Sequence, residues 1–154
     1  MNFPSYFLKP MEITKNLVEA MGIMPKEVYI GRDILCILND EDSVKNIKPN
    51  LEKLKELDGL LLHVSALGNE VDCISRTFAP KLNVVEDPVC GSGHCHIIPY
   101  WAEKLKKKNL IAYQASERGG TLYCSIDNDR VILGGRAVLY SIAELKIDIN
   151  NIYV

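Results

Sequence analysis

The sequence has no surplus of either charge: 18 lysines and arginines stand against 20 aspartates and glutamates, a net charge of −2. That balance gives no electrostatic reason to expect nucleic acid or an anionic membrane as a partner. No apolar run comes near the ~20 residues needed to span a bilayer. The opening "MNFPSYFLKP" lacks a basic stretch followed by an apolar one, so no secretory signal is expected. There is no internal repeat, low-complexity segment or flexible linker. Cysteines at 36, 73, 90, 95 and 124 form an odd set without compact spacing. Three of them lie in apolar runs, where a thiol behaves as a small hydrophobe, so reduced cysteines in a cytoplasmic protein are expected. The one dense basic run, "KLKKK" at 104–108, falls at the end of an expected helix, where cations favour the negative end of the dipole.

What remains is a chain of 154 residues, enough for one domain with a real core. "NFPSYFLK" reads as an edge or linking strand near 2–8, bounded by prolines. "EITKNLVEAMG" places apolar residues at 13, 17, 18, 20 and 21 before Gly22, an amphipathic helix with a glycine stop. "EVYIG" and "DILCILN" are β-rich runs joined in a hairpin at Gly31-Arg32-Asp33. "EDSVKNI" reads as a short helix, and "NLEKLKELDG" as another, with Asn50 as its cap and Gly59 as its stop. "LLLHVSAL" and "VDCISRTFA" are strands around a turn at Gly68-Asn69. A helix starts at Gly91 to Gly93 and runs through "IIPYWAEKLKK". "LIAYQASE", "GTLYCSID" and "RVILGGRAVLYSIAEL" (130–145) complete the strands, with turns at 118–120 and 127–129. The class is α+β with an antiparallel sheet, and the unusually apolar helix 94–105 packs against or inside it.

The densest chemistry lies in "EDPVCGSGHCHIIPYW", residues 86–101. A metal site is not expected, because Cys90 and His94 lack the second pair of N or S ligands that zinc requires. "CGSG" follows a strand and opens a helix. The first free N–H groups of a helix favour negative charge, so Gly91, Ser92 and Gly93 could hold a carboxylate or a developing enolate oxygen. The alternative is that Asp87-Pro88 caps a turn that the glycines merely permit. Cys90, just before the helix, is a candidate thiolate, although the carboxylate at Asp87 opposes that. Glu86 and Asp87 are candidate acid–base groups. Arg76 and Arg118 could clamp a carboxylate, Arg118 with the stronger claim because glycines beside it would clear room for a ligand. His63 reads as a satisfied strand histidine and Trp101 as core.

These residues resemble a known family. "SRTFAPKLNVVEDPVCGSGHCHIIPYWAEKL" is similar to the second half of the phenazine-biosynthesis-like (PhzF) isomerases, which carry E-D-P-V-[TC]-G-S-[AG]-H before a tyrosine–tryptophan–alanine helix. "QASERGGTLYC" (114–124) resembles the family's Q-x-S-x-R-G-G segment, and "NFPSYFLKP" resembles the strand joining its two halves. The resemblance implies a diaminopimelate-epimerase-like fold: two similar domains, each a β-barrel-like sheet wrapped around a central helix, with the active site between them. It implies cofactor-independent proton transfer at carbon on a small carboxylate-bearing metabolite. By position, Asp87 matches the active-site aspartate, Gly91 and Ser92 match residues that bind and polarise the substrate, and Cys90 takes the place of the thiol of related racemases. Gly93, His94 and Arg118 are further expected substrate contacts.

The family's principal glutamate, its glycine–histidine motif and its glycine–asparagine–proline motif belong to a first domain with no counterpart here. The expectation is therefore an inter-domain-type strand at 1–10 and a single second-half domain over 11–154. Its partner would be a complementing first domain, or a second copy bringing two Cys90 thiols across one cleft. A non-catalytic anion-binding domain is the third possibility, since sites rather than folds carry function.

Overall fold

The computed structural model describes residues 1–144 and 146. Ten strands form one mixed sheet: β1 (Asn2–Pro4), β2 (Lys9–Pro10), β3 (Glu27–Ile30), β4 (Ile34–Ile37), β5 (Leu62–Leu67), β6 (Cys73–Ala79), β7 (Val84–Glu86), β8 (Asn109–Gln114), β9 (Gly120–Asp127) and β10 (Arg130–Gly134). Four helices join them: α1 (Lys15–Met21), α2 (Glu41–Asn46), α3 (Leu51–Lys55) and α4 (Gly91–Leu105). The strand order is β1-β10-β9-β8-β6-β5-β4-β3-β2, with β7 added beside β6.

The two outer strands, β1 and β2, are joined by residues 5–8 alone. Five Cα steps span at most about 18 Å, so the sheet must curl until its edges approach, and α4 fills the trough. The α4 side holds Leu35, Ile37, Ile97, Ile98, Trp101, Leu110, Cys124 and Val131. The outer face packs Val28, Cys36, Val64, Ile74 and Phe78 against Leu17, Val44 and Leu54 of α1 to α3. This is the α+β class read from the sequence, and a sheet wrapped around a central helix is the arrangement that the resemblance implies. One refinement applies: β4 with β5 and β6 with β8 run parallel. Parallel neighbours need long crossovers, here α2 with α3 and then α4.

The expected strand at 2–8 is two short pieces. Pro4 and Pro10 lack N–H groups and end their ladders, and the chain between them crosses α4. Pro99, inside α4, explains the docking. Lacking an N–H, it leaves the Cys95 carbonyl without its helical partner, and the Tyr6 N–H donates to that carbonyl at 3.0 Å. At the other end, the strand expected over 130–145 stops at Gly134, where two successive glycines weaken it. Residues 135–144 have no regular structure, and Val138, Leu139, Tyr140 and Ile142 are exposed. Leu145 lies outside the described residues. No helix is long and apolar enough to cross a membrane among the described residues.

Candidate functional site

The motif bends from β7 through a tight turn into α4. The Asp87 N–H donates to the Thr77 carbonyl at 2.9 Å, and its Oδ1 accepts from the Val89 N–H at 3.0 Å, fixing the turn. Gln114 on β8 braces the same turn by accepting from the Cys90 N–H at 2.8 Å and donating to the Asp87 carbonyl at 2.5 Å. Asp87 stays half-buried, with its second carboxylate oxygen unbonded among the described residues.

Cys90 is the N-cap of α4. Its Sγ accepts from the Gly93 N–H at 3.3 Å and lies 3.4 Å from Ser92 Oγ. Burial pushes its thiol upward; the contacts to Ser92 and Gly93 offset this in part, and Asp87 adds to it. The sulfur is thus committed to capping, in surroundings that favour the thiol over the thiolate. The Gly91 and Ser92 N–H groups, by contrast, have no partner among the described residues, and both residues are half-buried. Two free donors therefore stand at the positive end of a 15-residue helix, a position that favours negative charge, while the Gly93 N–H, expected beside them, is taken by the Cys90 cap.

The two glycines have different reasons. A Cβ on Gly91 would meet nothing closer than Leu133 Cδ1 at 3.9 Å, so packing does not demand glycine there and the space beside the cradle stays open. A Cβ on Gly93 would come within 2.9 Å of His63 Cε1 and 3.0 Å of its Nδ1. Gly93 therefore serves the packing of His63 beneath the helix.

His94 does not lie at the lip. It is fully buried, and because a carbonyl only accepts, its Nδ1 carries the proton donated to the Cys90 carbonyl at 2.7 Å. Its Nε2 is buried without a partner, and burial lowers its pKa to about 4. Arg118 is exposed and lines two adjoining surface clefts beside Pro88 and Val89. The neighbouring glycines do not clear room for a ligand at it: Gly119 accommodates the Tyr113 hydroxyl and Gly120 the Val89 side chain. Glu86 is taken up by Arg76 in a two-pronged pair at 2.7 and 2.8 Å, and Arg76 Nη1 also donates to the Lys45 and Ile47 carbonyls. Both side chains are thus engaged within the fold.

Sequence reasoning missed a buried cluster behind the cradle. His96 Nδ1 donates to the Ser92 carbonyl at 3.0 Å, and its Nε2 accepts from the Asp33 N–H at 3.2 Å. Its ring stacks on Tyr6 with centroids 4.3 Å apart. His63 is not the fully satisfied histidine expected. Its Nδ1 pairs with Thr77 Oγ1 at 2.9 Å, but its Nε2 stands 3.5 Å from Asp33 Oδ2 without a good hydrogen bond. Burial would push Asp33 up, yet His63 and Arg32 hold it well below the usual carboxylate range. The donor atoms of Asp33, His63 and His96 lie within 4.8 Å of one another, the one grouping among the described residues that could hold a metal. Two of the three are already used: the Arg32 guanidinium sits on Asp33 Oδ2 and a backbone N–H on His96 Nε2. The available signal was an Arg-Asp pair set between two apolar strands, since a buried carboxylate requires partners.

Residues 8–143 match the family model described as phenazine biosynthesis-like protein. An uncharacterized isomerase of Pseudomonas aeruginosa is 38% identical over 148 residues, covering 96% of this chain and 57% of that protein. An uncharacterized isomerase of Halalkalibacterium halodurans is 41% identical over 151 residues, covering 94% and 56%. The crystal structure of a PhzF family protein from Enterococcus faecalis superposes with a TM-score of 0.88 at 44% identity, covering 92% of this chain and 55% of that one. A PhzC/PhzF protein from Clostridium difficile gives 0.86 at 40% identity, covering 96% and 57%. The chain thus spans little more than half the length of these relatives.

Proposed function

Because the chain belongs to the phenazine biosynthesis-like (PhzC-PhzF) family, we propose that it is the second half of an isomerase that moves a proton at carbon on a small carboxylate-bearing metabolite. The observation that carries this reading is the pair of unpartnered N–H groups at Gly91 and Ser92 beside the half-buried Asp87. The helix terminus binds the carboxylate or the enolate oxygen that develops when the carbon loses its proton, because fixed donors stabilise charge as it forms. Ser92 donates a hydrogen bond to the same group. Asp87, with a free carboxylate oxygen, is the acid–base partner on this side of the cleft. No cofactor enters the scheme.

In this reading a second acid–base group faces the substrate from across the cleft. A complementing first domain supplies it in this reading. A homodimer pairing two Cys90 thiols is disfavoured, because the sulfur is buried and caps the helix. The test mixes the chain with a separately produced first domain of a close relative in D2O and follows deuterium entry into a panel of small carboxylic acids. Exchange that appears only on mixing, and is lost with Asp87→Asn, supports the reading. Tight association without exchange into any acid would leave an anion-binding domain.

A further inference from the structure

Arg32 lies in the β3–β4 turn, far from the motif in sequence, and no part of the resemblance points to it. Its guanidinium is fixed on three sides. Nε and Nη2 donate to Asp33 Oδ2 at 2.9 and 2.5 Å, and Nη1 donates to the Tyr6 hydroxyl at 3.1 Å. The group also lies over the Tyr6 ring, 5.1 Å from its centroid. Asp33 is fully buried and itself fixed, its Oδ1 accepting from the Leu60 and Leu61 N–H groups at 3.1 and 3.2 Å. From this mount Nη2 reaches Ser92 Oγ at 3.0 Å, while the arginine side chain stays 39% exposed at the rim of the cradle.

An N–H bond to Ser92 Oγ takes one of its lone pairs and turns the serine's own proton away from Arg32. The proton then has two directions open: Cys90 Sγ at 3.4 Å, or a ligand on the Gly91 and Ser92 amides. We propose that Arg32 is the positioning residue of this site, holding Ser92 as a hydrogen-bond donor toward the oxygen of a bound carboxylate. Its charge adds to that of the helix terminus, and Asp33, His96 and Tyr6 form the mount. The proposal rests on the isomerase reading only for the identity of the ligand.

The test has one readout that needs no ligand. In the native chain the Hα–Hβ couplings of Ser92 report a single χ1 rotamer. Arg32→Gln averages them. Arg32→Lys, which keeps a cation beside the buried Asp33 but cannot span both Asp33 and Ser92, preserves the fold and still averages them. The second readout is acetate binding followed at the Gly91 and Ser92 amides. Arg32→Lys and Ser92→Ala each weaken it about tenfold, the scale of one charge-assisted hydrogen bond, and the double variant is no weaker than Ser92→Ala. An averaged Ser92 in the native chain, additive losses in the double variant, or no acetate shift at all overturns the proposal. A fixed Ser92 and acetate binding without proton exchange in the complemented enzyme would overturn the isomerase reading and leave the positioning role standing.

Discussion

At the scale of single residues, three buried imidazoles lie behind the site, and burial drives each toward its neutral form. Burial lowers His94 and His96 to about 4 and lowers His63, where Asp33 opposes the shift. In the unfolded chain each imidazole titrates near 6.5. A folded pKa below the unfolded one gives stability that is complete above about 6.5 and is lost as pH falls toward the folded value. Unfolding free energy from urea melts should therefore drop between pH 7 and 5, with two to three protons taken up on unfolding. A flat profile across that window would show that the histidines do not resist protonation. Gly93→Ala is the steric counterpart. Its Cβ meets the ring of His63, which is held by Thr77 and cannot swing away freely. A cost of about 1–3 kcal/mol is expected for such overpacking, lowering Tm by about 2–4 °C per kcal/mol, whereas Gly91→Ala should leave Tm nearly unchanged. The helix start at Gly91 was legible at this scale because glycine and serine after a strand and turn mark a helix opening with free N–H groups. Arg32 and Asp33 were not, because a charged pair at a hairpin turn looks solvated until the sheet curls over it.

At the scale of elements, the start of α4 separates structure from chemistry at Cys90. Serine is among the preferred N-caps, so Cys90→Ser keeps the cap to the Gly93 N–H and should match or exceed native stability. Cys90→Ala loses it, at about 1 kcal/mol. Thermal melts of the two variants decide this, and equal losses in both would mean that the thiol's bulk, not its cap, is what matters. Pro99 makes the second case. Pro99→Ala supplies an N–H that competes with Tyr6 for the Cys95 carbonyl. Faster amide exchange at Tyr6 is expected, with looser packing of Tyr6 on His96. The helices and most strands were readable from caps and periodicity. The parallel pairings were not, since alternation along a strand does not state the direction of its neighbour. The split of residues 2–10 follows from the same limit: two prolines announce interrupted ladders but not which strands each fragment joins.

At the scale of the whole molecule, the curled sheet closes around α4 through residues 5–8, yet the chain leaves two features uncovered. One is the positive terminus of α4. The other is the run 135–144, whose Val138, Leu139, Tyr140 and Ile142 lie in water beyond the end of β10. Apolar side chains at this density usually mark a contact surface, and the chain spans 55–57% of the relatives described above. A complementing domain that covers both features would complete the cleft and exclude water from it, which strengthens every fixed dipole at Gly91 and Ser92. Hydrogen exchange of the chain alone and of the mixture should then show protection arising together in 135–144 and at the first turn of α4. In the mixture, Asp87→Asn should cost at least about 100-fold in proton exchange, the scale of a lost acid–base group, while Cys90→Ser retains most of it. Protection of 135–144 without protection at α4 would place the partner elsewhere than over the cradle. A loss in Cys90→Ser equal to that in Asp87→Asn would move the chemistry from the carboxylate to the thiol.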